Sequence, residues 1–524
     1  MFFSLEQHPP EHPALVEPNG AALTYSQLAA AVNRVAQWPV RRTLIFCLTS
    51  STIGFTAGYV GFLSTQAVPL LLDSELTPEL LSRLITLYRP SFLWVPQKKS
   101  GAFSQYTPVQ TLYDYTLLQT DCTDCPQLHP ELSLLLTTSG STGSPKLVRQ
   151  SARNLLSNAE AIAQYLELNS TSERPILTLP LHYTFGLSIL HSHLLTGGTV
   201  LLSEYSVIQQ EFWDYFEREK ATSISGVPMT YTLLERAGFF ERELPSLRYF
   251  TQAGGKLPHR MHRRCAEFAR ERGLRFYAMY GQTEATARMS YLPYQMAEEK
   301  CGSIGIPIPG GAFRLVGESG ETIAEPYREG ELVYEGPNVA LGYAQGPLDL
   351  ARGDDFDGML FTGDLAMRDT DGCYTVTGRK KRMVKLFGSR VSLDECERLL
   401  RERFGGADFA CLGRDDHIDL FVAESPHCTA QDALSDLAGT LRFPAWAFAA
   451  HPVAEIPRNE AGKIQYPRLE GCYDKGCCAA AGNTAVFSAA SGKGGPVLPR
   501  STGANPLPQR PLRAVCQYSA RAGI

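Results

Sequence analysis

The chain has 524 residues, 44% of them hydrophobic and 20% charged, with a formal net charge of −5. That is ordinary globular composition, and it leaves no electrostatic field to recruit nucleic acid or an anionic membrane. The length predicts about two to four domains, enough to enclose a deep ligand cleft.

Residues 1–15 lack a basic start and a long apolar core, so no secretion signal is expected. No apolar run is long enough to span a bilayer. Thirteen cysteines are scattered along the chain. The pair Cys122 and Cys125 has no second pair at zinc-site spacing, so reduced thiols in a cytoplasmic protein are expected.

Residues 23–36 place Leu28, Val32 and Val35 at helical spacing, with Ser26 as a possible cap. Strands are predicted at 42–48, 67–72 and 92–95, with helices at 53–63 and 77–88 between them. Alternating strands and helices indicate α/β architecture with a parallel sheet. The alternation resumes later: helices at 152–165, 187–195 and 208–219, strands at 176–179 and 200–202.

Between these runs stands the most informative segment, residues 134–148, LLLTTSGSTGSPKLV. An apolar run gives way to hydroxyl residues broken by Gly140 and Gly143, then Pro145 and Lys146. Glycines let backbone approach an anion, hydroxyl and N–H groups donate to phosphate oxygens, and Lys146 adds a mobile positive charge. A plain polar turn would need none of this order. The spacing is not a Walker A loop, because Pro145 and Leu147 stand where Gly and Ser/Thr are required.

Residues 180–188 (PLHYTFGLS) lie between a strand and a helix. His182 gains no support as a metal ligand: His191 and His193 follow on the helix, without a carboxylate or Cys at suitable spacing. Tyr183 and Phe185 beside Gly186 suit the wall of an apolar pocket. After a strand at 247–250, residues 252–255 (QAGG) make a close-approach turn. After a strand at 276–279, residues 280–284 (YGQTE) join a stacking ring, a glycine, a hydroxyl and a carboxylate able to hold magnesium. Either turn could equally be a simple link between elements.

From Gly302 onward, β-branched and glycine-rich stretches predict an antiparallel, barrel-like region with strands at 313–316, 331–334, 359–361 and 374–376. Residues 361–364 (FTGD) would end a strand in a carboxylate suited to a ribose diol, or simply in a surface turn. A boundary is expected at the basic cluster 379–382. Beyond it a small α+β unit is predicted, with helices at 392–403 and 430–441 and short strands at 411–412 and 420–422. Leu393, Cys396, Leu399 and Leu400 share a face of the first helix. Lys463, after Gly462 on a late turn, is either a surface lysine or one that reaches into a neighbouring cleft. Residues 471–524, rich in Gly, Ala, Ser, Pro and Arg, are expected to be a disordered tail without a catalytic role.

Taken in order, TTSGSTGSPK, the His-aromatic-Gly turn, the Gly-Gly turn, YGQTE, GELVYEGPNVALGY, FTGD, GRKKRMVKLFGSRVSLDECE and the late Gly-Lys resemble the adenylate-forming superfamily. That superfamily includes acyl-CoA synthetases, adenylation domains of peptide synthetases and luciferases. A stand-alone acyl-CoA synthetase is the nearest type, and the resemblance spans residues 20–468. It implies a large N-terminal AMP-binding and acyl-binding domain (1–378), a hinge (379–382) and a small mobile lid domain (383–470). Thr138, Ser139, Gly140, Ser141, Thr142, Gly143 and Lys146 match the phosphate loop. Gly254 and Gly255 match the turn beside adenine, and Tyr280, Gly281 and Gln282 the adenine wall. Thr283 matches a phosphate ligand, Glu284 the magnesium ligand, and Asp364 with Arg379 the ribose pair. Lys381 falls on the hinge. Lys385, Gly388 and Arg390 match the loop used in the second half-reaction, and Lys463 the catalytic lysine of the first. The chain departs from the common pattern at Leu147, Asn459 and Ala461.

The implied activity is ATP-dependent, magnesium-assisted conversion of a carboxylic acid to acyl-AMP, then transfer to a thiol. Coenzyme A is the expected acceptor, with the phosphopantetheine of an acyl carrier protein as the alternative. From another class, a non-catalytic nucleotide-binding protein on the same fold is the rival. No acidic residue lies in 181–188, where an α-ammonium would be held, so a fatty or aryl acid is expected, with His182, Tyr183, Phe185, Gly186 and the 285–289 stretch near it.

Overall fold

The computed structural model describes residues 3–137, 146–168, 171–386, 389–414, 416–441, 443–459 and 462–473. All lie within one compact unit, Met1–Cys478. The residues expected to form a tail lie outside the described set apart from 471–473, which complete a helix, Tyr466–Tyr473. Among the described residues no helix is long and apolar enough to cross a membrane.

The first α/β region follows the predicted order. Strands Leu44–Thr49, Val68–Asp73 and Phe92–Pro96 are almost wholly buried and pair in parallel. Helices Ile53–Ser64 and Pro78–Tyr88 connect them. A hairpin, Thr107–Leu112 with Tyr115–Gln119, extends the sheet and was not foreseen. The helix Tyr25–Val35 is capped by Thr24 rather than Ser26. Thr24 sits in extended backbone just ahead of the helix, where its hydroxyl accepts from Gln27 N and Gln27 Oε1 accepts from Thr24 N.

Strand Leu132–Thr137 joins this sheet in parallel and pairs with the antiparallel strand Leu147–Ser151. The expected phosphate loop connects these two strands, and residues 138–145 fall outside the described residues. A short strand, Gly342–Ala344, closes the edge, placing Tyr343 opposite Val148. Arg149 locks this edge. Its guanidinium is fully buried, pairs with Asp355 at 2.5 Å and donates to the carbonyls of Leu341, Tyr343, Arg352 and Gly353.

A second large sheet carries the parallel strands Pro175–Ile176, Ser223–Gly226, Tyr249–Gln252 and Arg275–Tyr280. Their carboxyl ends point the same way, so the turns at Gly254 and Gly281 emerge on one rim, where open α/β sheets bind ligands. The barrel-like region is a five-stranded antiparallel sheet containing Gly330–Glu335, Met359–Arg368 and Tyr374–Arg379. Its strand Met359–Arg368 runs through Asp364 rather than ending there. Gly363, at φ 72°, takes up a register shift, so the carboxylate sits on a bulge inside the sheet.

The small α+β region has its own core, including Leu393, Cys396, Leu400, Phe409, Cys411, Leu420 and Leu437. Leu399 is only half-buried. Glu397 takes an inner position instead, paired with Arg382 at 2.6 Å.

Candidate active site

The site begins where strand Arg275–Tyr280 ends against the antiparallel sheet. Asp364 and Arg379 face each other across paired strands, and Arg379 Nε lies 3.2 Å from Asp364 Oδ1. Tyr280 OH donates to Asp364 Oδ2 at 2.5 Å, and Gln282 Nε2 reaches the same oxygen at 3.1 Å. Burial, reinforced by the Asp364 charge, pushes the Tyr280 phenol well up, so it stays a neutral donor. The carboxylate is buried while the guanidinium is 60% exposed. A fixed acceptor beside an exposed fork of donors is the geometry a diol and a neighbouring anion require.

Next in the chain, the turn Thr283–Ala285 is held from three sides. Thr283 and Thr184 share a hydroxyl hydrogen bond of 2.9 Å, Gln150 Nε2 donates to Thr283 O at 2.9 Å, and Ala340 N donates to Glu284 O at 2.9 Å. Tyr343 OH donates to Glu284 Oε1 at 2.8 Å. The same ring carries the Lys146 ammonium 3.2 Å from its centroid. Tyr343 thus joins the lysine after the expected phosphate loop to the expected magnesium ligand. It lay in the GPNVALGY segment, yet nothing in its spacing marked it. Among the described residues no group of three potential metal ligands occurs.

Two of the expected glycines are required by close approach. A Cβ on Gly281 would lie 1.6 Å from the Ala287 carbonyl oxygen. Gly254 has φ 82°, and a Cβ there would come within 2.5 Å of Tyr183 OH. Gly255 is less constrained, its nearest neighbour being Pro228. His182 Nδ1 is 3.0 Å from Thr49 Oγ1. Gly186 seats the start of helix Thr184–Thr196 against the strand end, since a Cβ would meet Pro180 O at 2.4 Å. Phe185 is buried beneath the Arg288 guanidinium, 5.1 Å from ring centroid to Cζ. Arg288, inside the 285–289 stretch, drew no separate notice in the sequence.

Lys463 comes to this cluster from far along the chain. Its turn is closed by Asn459, whose Oδ1 accepts from Lys463 N at 2.9 Å and whose carbonyl accepts from Gly462 N at 2.8 Å. Asn459 therefore supplies a side-chain acceptor at one of the positions where the chain departs from the common pattern. Arg458 grips Asp408 at 2.7 and 2.8 Å and anchors the turn to the small region. Burial, and then the nearby Arg379 charge, lower the Lys463 pKa, while Glu284 and Asp364 oppose the shift. The ammonium thus lies in the fields of three expected site residues.

Thr138, Ser139, Gly140, Ser141, Thr142, Gly143 and Gly388 lie outside the described residues, as do the side chains of Lys381, Lys385 and Arg390. The backbones of Lys385 and Arg390 are paired in the hairpin Met383–Leu386 with Ser389–Ser392.

Residues 2–344 match the family described as AMP-binding enzyme. The 2-succinylbenzoate–CoA ligase of Bacillus pumilus is 29% identical over 346 residues, covering 65% of this chain and 69% of that protein. The indoleacetate–CoA ligase of Aromatoleum aromaticum is 32% identical over 293 residues, 56% of each. The medium-chain fatty-acid–CoA ligase of Escherichia coli is 25% identical over 503 residues, 87% of each. Among solved structures, o-succinylbenzoate CoA synthetase from Bacillus subtilis superposes with a TM-score of 0.70 at 23% identity, covering 90% of this chain and 97% of that one. ATP-bound MatB from Rhodopseudomonas palustris gives 0.72 at 22% identity, covering 90% and 98%. These likenesses show a shared fold, and the match over residues 2–344 shows that the chain belongs to the AMP-binding enzyme family.

Proposed function

We propose that the protein activates a carboxylic acid lacking a free α-amino group with ATP, releasing pyrophosphate, and passes the acyl group from acyl-AMP to the thiol of coenzyme A. The observation that carries this reading is the buried Asp364 carboxylate, held by Tyr280 and Gln282 and paired with Arg379 at 3.2 Å, with the charges of Asp364, Arg379 and Glu284 all acting on Lys463. The curated relatives are named for acids as different as succinylbenzoate, indoleacetate and medium-chain fatty acids, which supports the reaction class more than any one substrate.

In the first half-reaction the substrate carboxylate attacks the α-phosphorus of ATP. Both reactants are anionic, so repulsion dominates the barrier. Lys463 would bridge carboxylate and phosphate, a positioned charge contributing on the order of 3 kcal/mol. Asp364 and Arg379 would orient the ribose, Tyr280 and Gln282 would line the base, and Thr283 with Lys146 would steady phosphate oxygens. Magnesium would be held by Glu284 together with ATP oxygens and would spread the phosphate charge. A single carboxylate fixed by Tyr343 suits a metal that arrives with its nucleotide, as Mg²⁺ usually does.

For thiol transfer the small region would pivot at Lys381. The flanking residues support this position. Lys380 pairs with Glu331 of the antiparallel sheet at 2.6 Å, whereas Arg382 pairs with Asp394 and Glu397 of the small region. Lys381 is therefore the residue between the two anchorages, and its rotation would bring the loop with Lys385, Gly388 and Arg390 to the site.

The test is ATP–pyrophosphate exchange with the full chain over a panel of acids. Exchange that depends on added acid is expected; phosphate release without it would overturn the reading. Coenzyme A compared with a phosphopantetheinylated carrier protein, as acceptors from the same acyl-AMP, then decides the thiol.

A further inference from the structure

Among the described residues, two arginines are buried to the point of near-inaccessibility, Arg149 and Arg288. Arg149 has a carboxylate, Asp355, and four carbonyl oxygens around it. Arg288, with 2% of its surface accessible, has no carboxylate within ion-pair distance among the described residues. Its Nε donates to Ser188 Oγ at 3.1 Å, and Nη1 donates to Tyr165 OH at 2.9 Å and more weakly to Met279 Sδ at 3.6 Å. Nη2 makes no hydrogen bond among the described residues. The Phe185 face adds a cation–π contact, and the buried His193 and Tyr249 lie within its field.

The surrounding titratable groups do not balance this charge. Burial keeps the Tyr165 and Tyr249 phenols neutral and holds His193 neutral down to about 4. Glu173, which faces Tyr249, is engaged by Arg248 at 3.1 Å. The neighbouring Asn158 is buried too; it spends its Nδ2 on the Arg288 carbonyl and leaves Oδ1 without a partner. Proteins almost never bury an arginine unless it is paired. A cation–π contact and two hydroxyl acceptors do not replace an anion.

The position of this charge explains what could supply the anion. Ser188, its Nε acceptor, stands one helical turn beyond Thr184 in helix Thr184–Thr196. Thr184 touches Thr283 at the reaction end of the site. Four helical residues advance about 6 Å. An acid with its reacting carboxylate at the Thr184–Thr283 end would therefore meet the Arg288 guanidinium about 6 Å deeper, among Phe185, Ser188 and Tyr165.

We propose that Arg288 receives a second acid group on the substrate, so that the chain activates a short dicarboxylic acid with its two acid groups about 6 Å apart. This rests on the adenylation reading above and narrows its substrate class. A planar guanidinium with an unused Nη2 offers the fork that a carboxylate accepts. A monocarboxylic acid of the same length would bring an apolar end to the guanidinium and leave the charge unpaired.

The test uses the wild-type full chain with ATP and magnesium, measuring pyrophosphate exchange on matched pairs: glutarate against pentanoate and adipate against hexanoate. The expected result is a kcat/KM for the better diacid about a hundredfold above its matched monoacid. Arg288→Met should cut the diacid rate and collapse that ratio, with folding checked by thermal denaturation. Exchange with monoacids at equal or higher kcat/KM in the wild type overturns the Arg288 assignment and leaves the adenylation reading standing. No exchange with any acid, amino acids included, overturns the adenylation reading itself, and this inference with it. The wild-type comparison decides even if the variant does not fold.

Discussion

Tyr343 does two things with one side chain. Its hydroxyl fixes Glu284 and its ring face holds the Lys146 ammonium. Burial and the adjacent carboxylate push its pKa up, so it remains a donor. Tyr343→Phe keeps the ring and loses the hydrogen bond. A net loss of about 1 kcal/mol is expected, roughly a fivefold fall in the exchange rate at saturating acid. Tyr343→Ala removes both contacts and should fall further. Equal rates in Tyr343→Phe and wild type would show that Glu284 is placed without it. Gly281 is a steric case. Any side chain collides with the Ala287 carbonyl, so Gly281→Ala should displace the 281–287 turn and lower exchange even with the fold intact, as near-native circular dichroism would check.

At the scale of elements, helix Thr184–Thr196 carries a consequence for pH. His191 and His193 are buried on it, hydrogen-bonded to Tyr59 and Tyr249, and burial lowers their pKa values to about 3 and about 4. In the unfolded chain each titrates near 6.5. Below that pH the unfolded chain takes up protons that the folded chain refuses, so stability falls as the solution is acidified. Each histidine should remove about 2 kcal/mol between pH 7 and pH 5. Urea unfolding at the two pH values measures this, and a His191→Gln, His193→Gln double variant should show a correspondingly flatter dependence.

The same scale shows what could be read from the chain. Helix Ala152–Tyr165 and helix Ala430–Leu441 match their predicted spans, and each amphipathic run is preceded by a capping hydroxyl, Ser151 and Thr429. Residues 280–284 were legible because a strand, a glycine turn and a carboxylate are local features. The Asp364–Arg379 pair was legible only as two motifs, since its meaning depends on strand register and on the bulge at Gly363. Tyr343 and Arg288 were not legible at all. A tyrosine on an edge strand and an arginine in an apolar stretch acquire their roles only through residues more than fifty positions away, such as Glu284 and Ser188. The hairpin Thr107–Leu112 with Tyr115–Gln119 was missed for a local reason. Its turn residue Tyr113 adopts φ 53°, a conformation no glycine or asparagine advertised.

For the whole molecule, the proposed reaction requires two regions to work at one site in two arrangements. Lys380 belongs by its ion pair to the large region and Arg382 to the small one, so stiffening residue 381 should separate the half-reactions. Lys381→Pro is expected to retain acyl-AMP formation and lose thioester formation, as chromatography of the products from one reaction would reveal. Thioester made at the wild-type rate would place the pivot elsewhere. The central claim, that Lys463 completes the nucleotide site from a distance, is tested most directly by following both half-reactions in Lys463→Ala. Acyl-AMP formation is predicted to fall by at least about a hundredfold, while thiolysis of supplied acyl-AMP continues. Acyl-AMP formation at the wild-type rate in that variant would contradict the claim.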